Sequence, residues 1–160
     1  MDSKFTPIEG AQGFQQSNPS ALNLAALLGS LQIFKEVGMM GPIRERSLLL
    51  TNRLETLLRK SRYFVETNEI SLVGSEKGKP AGFTIITPRD SNQRGAQLSL
   101  LFLPLGSGTM QRIFERLNED GVIGDERQPD VIRLAPIPLY NNFADCEAAA
   151  VGLDKAFEGK

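Results

Sequence analysis

A chain of 160 residues with 41% hydrophobic residues is long enough for the core of one soluble domain and short for two. Its 18 basic and 19 acidic residues are interspersed and leave a formal charge of −1, so nothing in the charge pattern favours nucleic acid or an anionic membrane surface as a partner. The absence of histidine and the single cysteine exclude Ser-His and Cys-His nucleophile systems, two-His metal sites, an internal disulfide and a thiolate metal cage; they fit a reducing, cytoplasmic setting and leave any catalysis to Asp, Glu, Lys, Tyr or Cys146.

Residues 1–16 carry Pro7, Gly10 and Gly13 without a sustained period and read as an extended lead-in; Met1-Asp2-Ser3-Lys4 opens no apolar leader run. Ser17-Asn18-Pro19 reads as a helix start, with Ser17 or Asn18 as the cap and Pro19 at the first helical position. The helix runs through Leu24, Leu28, Leu31 and Phe34 and stops near Gly38. Its first half is apolar or small on nearly all sides, which predicts cover on more than one face, part of it from another chain or domain. The longest apolar run, Ala21 to Leu31, is broken by Asn23, Gly29 and Ser30 and is too short to span a bilayer.

A second helix follows Pro42, with Ile43, Ser47, Leu50, Leu54, Leu57 and Leu58 on one stripe and Arg44, Glu45, Asn52, Arg53, Glu55, Arg59 and Lys60 on a solvated one. Strands are predicted near 68–74, 82–88 and 96–103, separated by Gly78-Lys79-Pro80 and by the polar stretch from Pro88 to Gly95. Ser107 or Thr109 opens a third helix, whose stripe is Met110, Ile113, Phe114 and Leu117 and which ends at Gly121. Val122-Ile123 reads as a short strand and Val131 to Ala135 as another. Asn142 caps the last helix, with Asp145 in its first turn and Phe143, Cys146, Ala150, Leu153 and Phe157 on its inner face. The order of elements predicts an α+β fold, a mainly antiparallel sheet of three to four strands covered on one face by about four helices, formed by residues 17–160 as one domain after the lead-in.

Among residues able to carry chemistry, Arg133 stands out. Ile132 and Leu134 flank it in an apolar strand that Pro136 and Pro138 end, because proline offers no donor to a sheet ladder. A guanidinium drawn into apolar surroundings near a strand terminus wants a planar anion, and a carboxylate fits its fork best. An Arg that snorkels from a sheet edge or pairs with an Asp or Glu reads equally well from this stretch alone. Asn18 is a helix cap on its residue type, Arg94-Gly95 a turn entering a strand, and Cys146 inert packing on an apolar helix face. Tyr140 either anchors its loop through the hydroxyl or hydrogen-bonds near a site. Neither Gly74-x-x-x-Gly78 nor Gly106-x-Gly108 has the strand, helix and lysine context of a phosphate loop.

The runs VIRLAPIPLYNNFADCE at 131–147, GFQQSNPS at 13–20 and QRGAQLSLLF at 93–102 resemble the C-terminal part of kynureninase, the pyridoxal-phosphate (PLP) enzyme that cleaves kynurenine to anthranilate and alanine. The resemblance runs from about Met1 to about Phe157, so the chain corresponds to roughly the last third of a complete kynureninase, the small domain of a fold type I PLP enzyme. It implies that Arg133 holds the substrate α-carboxylate and that Asn18 lines the site near the substrate's aromatic portion. The Schiff-base lysine, the acid facing the pyridinium nitrogen and the phosphate-binding groups lie in the family's large domain, so no PLP is expected on this chain alone. Lys4, Lys35, Lys60, Lys77, Lys79, Lys155 and Lys160 each fall in a polar lead-in, helix face, loop or tail, and none matches the family's Schiff-base motif.

Three functions follow as alternatives. The chain is a kynureninase-like C-terminal domain that binds an amino-acid or aromatic carboxylate and does no PLP catalysis alone. It is a binding or regulatory subunit, acting as a homodimer or docked on a PLP-domain partner chain through its first helix. Or it is a repurposed PLP-independent enzyme acting on a carboxylate-bearing small molecule by positioning.

Overall fold

The computed structural model describes residues 6–76 and 78–159. They fall into two compact units, one ending at Met40 and one running from Gly41 onward.

In the first unit, a 3-10 turn at Ala11–Phe14 lies inside the lead-in, and helix α1 spans Ala21–Glu36. The expected cap at Ser17 or Asn18 shifts to Ser20, whose extended backbone precedes the helix without a side-chain hydrogen bond. Pro19 therefore precedes the helix. No residue of α1 is buried; Leu22, Leu27 and Leu28 are more than half exposed.

In the second unit, α2 (Met40–Lys60) buries Ile43, Ser47, Leu50, Leu54 and Leu58, the expected stripe, and also Thr51 and Glu55. Strands β1 (Gly82–Ile85), β2 (Leu98–Leu103), β3 (Asp125–Arg127) and β4 (Val131–Leu134) form one antiparallel sheet in the order β1-β2-β4-β3. Helices α3 (Thr109–Glu119) and α4 (Phe143–Glu158) complete the α+β fold. Leu98, Leu100, Phe102, Ile132 and Leu134 point into a core shared with Leu50, Leu54 and Leu58 of α2, Met110, Ile113 and Leu117 of α3, and Leu153 and Ala156 of α4. Strand alternation puts Ser99, Leu101, Val131 and Arg133 on the opposite face.

Two expected strands are absent. Residues 68–74 instead contain a 3-10 segment, Thr67–Leu72. The edge of β1 that such a strand would need is taken by the preceding chain: Val65 N–H donates to Phe83 O, and Phe83 N–H donates to Tyr63 O. Val122-Ile123 serves as the exit of α3, where Val122 N–H reaches back to Leu117 O at 2.8 Å and Gly121 takes φ 78°. The pairing strand begins three residues after Val122, at the polar Asp125.

Candidate functional site

Arg133 is placed by the sheet register. Its neighbours Ile132 and Leu134 are buried in the core, and β4 stops at Leu134, just before Ala135-Pro136. Across the sheet Arg133 faces Ser99 of β2 on one side and Asp125 of β3 on the other. Ser99 accepts a hydrogen bond from Gln97 Nε2 at 3.2 Å. The Arg133 Nη2 group donates to Asp125 Oδ2, the same oxygen that pairs with Arg127 Nη2 at 3.0 Å. The Arg133 side chain is 29% exposed, its Nε–H is buried, and that Nε–H has no hydrogen-bond partner among the described residues. Two guanidinium groups share one carboxylate, so the cluster keeps one unit of positive charge. Arg133 is thus paired to an acid, the second of its two expected readings, and its buried Nε–H has no partner among the described residues.

Asn18 lies in the unit ending at Met40, is exposed, and follows Ser17 in an irregular stretch where Gln15 Nε2 donates to Ser17 O at 2.7 Å. It does not cap α1, so that reading of its amide is corrected: the helix begins three residues later, at Ala21. Arg133 belongs to the unit that begins at Gly41.

Arg94, whose side chain is only 3% exposed, is a structural residue of the α2 face. Its Nη2 group pairs with Glu55 Oε2 at 2.6 Å and reaches Asn52 Oδ1 at 3.1 Å, while Arg59 Nε holds the other Glu55 oxygen at 2.8 Å. Helical periodicity puts Glu55 on the solvated stripe of α2; an arginine from a distant turn, invisible to that periodicity, carries it inside. Tyr140 is exposed, and its loop is held instead by Asn141, whose Oδ1 accepts from Ile137 N–H at 2.8 Å. Cys146 is buried with Sγ 3.6 Å from Leu50 O. Burial, and then the Asp145 charge, push its thiol above the ordinary range, so it is poorly suited to be a nucleophile.

A groove of about 320 Å³ beside the end of β4 is lined by Leu54, Val122, Leu134, Pro136, Asp145 and Cys146 among others. It lies on the Leu134 side of the strand, opposite Arg133.

Lys79 lines a shallow depression, and its Nζ donates to Arg62 O at 2.6 Å and Phe64 O at 2.8 Å. Lys35, Lys60 and Lys155 are exposed on helices. Lys4, Lys77 and Lys160 lie outside the described residues. Among the described residues no cluster of acids and thiol could hold a metal ion, and no helix is long and apolar enough to cross a membrane.

An antiparallel sheet backed by helices, with an arginine at the end of one inner strand, defines a small α+β domain. The model of the kynureninase C-terminal domain matches residues 69–153, and the chain belongs to that family. It is 54% identical to the kynureninase of Yarrowia lipolytica over 149 residues, covering 93% of this chain and 33% of that protein. The kynureninase of Lodderomyces elongisporus is 46% identical over 99% of the chain and 34% of its own length, and that of Saccharomyces cerevisiae 44% identical over 96% and 33%. The chain therefore spans about a third of the length of the curated relatives it matches.

Proposed function

We propose that this chain supplies the carboxylate-binding part of a kynureninase-type site, with Arg133 gripping the carboxylate of an amino-acid substrate such as L-kynurenine. The observation that carries the proposal is the state of Arg133: a half-enclosed guanidinium at the end of an inner strand, with a buried unpartnered Nε–H and a surplus of one positive charge around it. Membership of the kynureninase C-terminal family supports the choice of ligand. In this reading the chain binds and orients the substrate, and bond cleavage needs PLP held by residues that this chain does not provide. When bound, PLP would act as the electron sink for that cleavage.

The test is titration of L-kynurenine and of anthranilate into the wild-type chain, Arg133→Ala and Arg133→Lys, followed by calorimetry or amide chemical shifts. Wild type is expected to bind L-kynurenine at least about tenfold more tightly than Arg133→Ala. Arg133→Lys is expected to recover little of the loss, because an ammonium lacks the planar fork. Equal binding by wild type and Arg133→Ala rejects the proposal.

A second reading, favoured by the apolar helix α1, none of whose residues is buried, is that the chain works as a subunit, either a homodimer or a partner of a chain that carries the PLP domain. The two readings are compatible.

A further inference from the structure

We infer that Asp125 is a positioning residue for Arg133, holding its guanidinium in the orientation in which it receives a carboxylate; this rests on the carboxylate reading of Arg133. Asp125 and Arg133 are direct cross-strand partners on β3 and β4, so their side chains leave the same face of the sheet side by side. Asp125 Oδ2 takes the Nη2 group of Arg133, which fixes one arm of the fork and leaves Nε–H without a partner. Arg127, two residues along the same strand, shares that oxygen at 3.0 Å. Without Arg127, one Asp would cancel one Arg and the pair would offer an incoming carboxylate no net attraction. With it the trio keeps a single positive charge, matched to a monocarboxylate.

The backbone is shaped to bring Asp125 there. A Cβ on Gly124 would stand 2.9 Å from Ile132 Cγ2 and 3.3 Å from Leu134 Cδ2, so only glycine lets β3 enter against β4 immediately before Asp125. Asp125 is itself 46% exposed, and its pairing adds little to the fold. Its effect is on where the Arg133 fork points.

The test uses the chain with L-kynurenine as probe, in wild type, Asp125→Asn, Asp125→Ala, Asp125→Glu and Arg133→Ala, together with the ¹⁵N-edited Nε–H resonance of Arg133 in the absence of ligand. The expected results are L-kynurenine binding weakened about tenfold in Asp125→Ala, less in Asp125→Asn, and partly restored in Asp125→Glu. Melting temperatures are expected to stay within about 3 °C of wild type. In Asp125→Ala the Arg133 Nε–H signal should shift and exchange faster with water, a change that a bystander residue would not cause. Tighter L-kynurenine binding by Asp125→Asn and Asp125→Ala would make Asp125 a competitor for the guanidinium and overturn the inference. So would an unchanged Arg133 Nε–H signal in Asp125→Ala. Failure of the carboxylate reading has a different signature: equal binding by wild type and Arg133→Ala, whatever the Asp125 variants do.

Discussion

At the scale of single residues, the most consequential burial in the unit from Gly41 onward is that of Glu55, a carboxylate between two guanidinium groups on the face of α2. Burial alone pushes its carboxyl up, but the hydrogen bonds and charges of Arg59 and Arg94 outweigh that and hold it below its ordinary value. A carboxyl whose folded-state value is lowered contributes stability above its unfolded value, and the contribution is lost as pH falls through the folded one. Glu55→Gln is thus expected to cost about 2 to 3 kcal/mol at pH 7, because it leaves Arg94 buried without its counter-charge. The gap between wild type and Glu55→Gln in urea unfolding should shrink as pH falls below the ordinary glutamate value toward the lowered folded-state one. A gap that is constant between pH 7 and pH 3 would show that packing, rather than charge, sets the cost. The sequence conveys little of this arrangement. Helical periodicity puts Glu55 on the polar stripe of α2, and an Arg-Gly turn reads as surface, since no periodic signal links a helix to a turn so far along the chain. Arg133 is the opposite case, because two apolar neighbours and two prolines are local signals and the strand forms where they indicate.

At the scale of elements, local chemistry was legible wherever the stabilising groups are close in sequence. The last helix starts at its capping box: Asn142 Oδ1 accepts from Ala144 N–H at 2.8 Å and Asp145 N–H at 3.3 Å, and Asp145 Oδ2 returns to Asn142 N–H at 2.9 Å. The Asn141 side chain, and then the Asn142 backbone, hold the Asp145 carboxyl below its ordinary value. Asn142→Ala removes the acceptor for two otherwise unpaired amides and is expected to lower stability by about 1 kcal/mol. Asn142→Ser should recover most of that; thermal unfolding followed by circular dichroism measures both, and equal melting temperatures for wild type and Asn142→Ala would refute the cap. Strands were less legible because a strand is defined by its neighbour. Ile70-Ser71-Leu72-Val73 has the composition of a strand, but residues 63–65 already occupy the edge of β1. Asp125-Glu126-Arg127 has no apolar pattern and pairs all the same, because an edge strand with one bonded side needs no buried face of its own.

At the scale of the molecule, the α+β unit and helix α1 differ in how far they satisfy themselves. The sheet and α2, α3 and α4 close a core in which Phe83, Phe102, Leu58 and Ile113 are fully buried, and Phe157 stacks against Tyr63 with ring centroids 4.4 Å apart. In α1, by contrast, Leu22, Leu24, Leu27, Leu28, Leu31 and Ile33 remain exposed, and no face of the helix is polar enough to be its solvent side. Apolar residues all round a helix are stable in water only when something covers them. The expected outcome for the 17.6 kDa chain is a mass in sedimentation equilibrium that rises with concentration toward a dimer or higher. Replacing Leu24, Leu28 and Leu31 together by Gln should return it to a monomer. Since none of the three is buried, the melting transition of the α+β core should stay within about 3 °C of wild type at a concentration where both are monomeric. A monomeric wild type across the micromolar range would remove self-association as the role of α1 and make the proposed PLP-domain chain the next partner to test. In that event, adding such a chain should protect the backbone amides of α1 from hydrogen exchange, whereas the triple Gln variant should gain no protection.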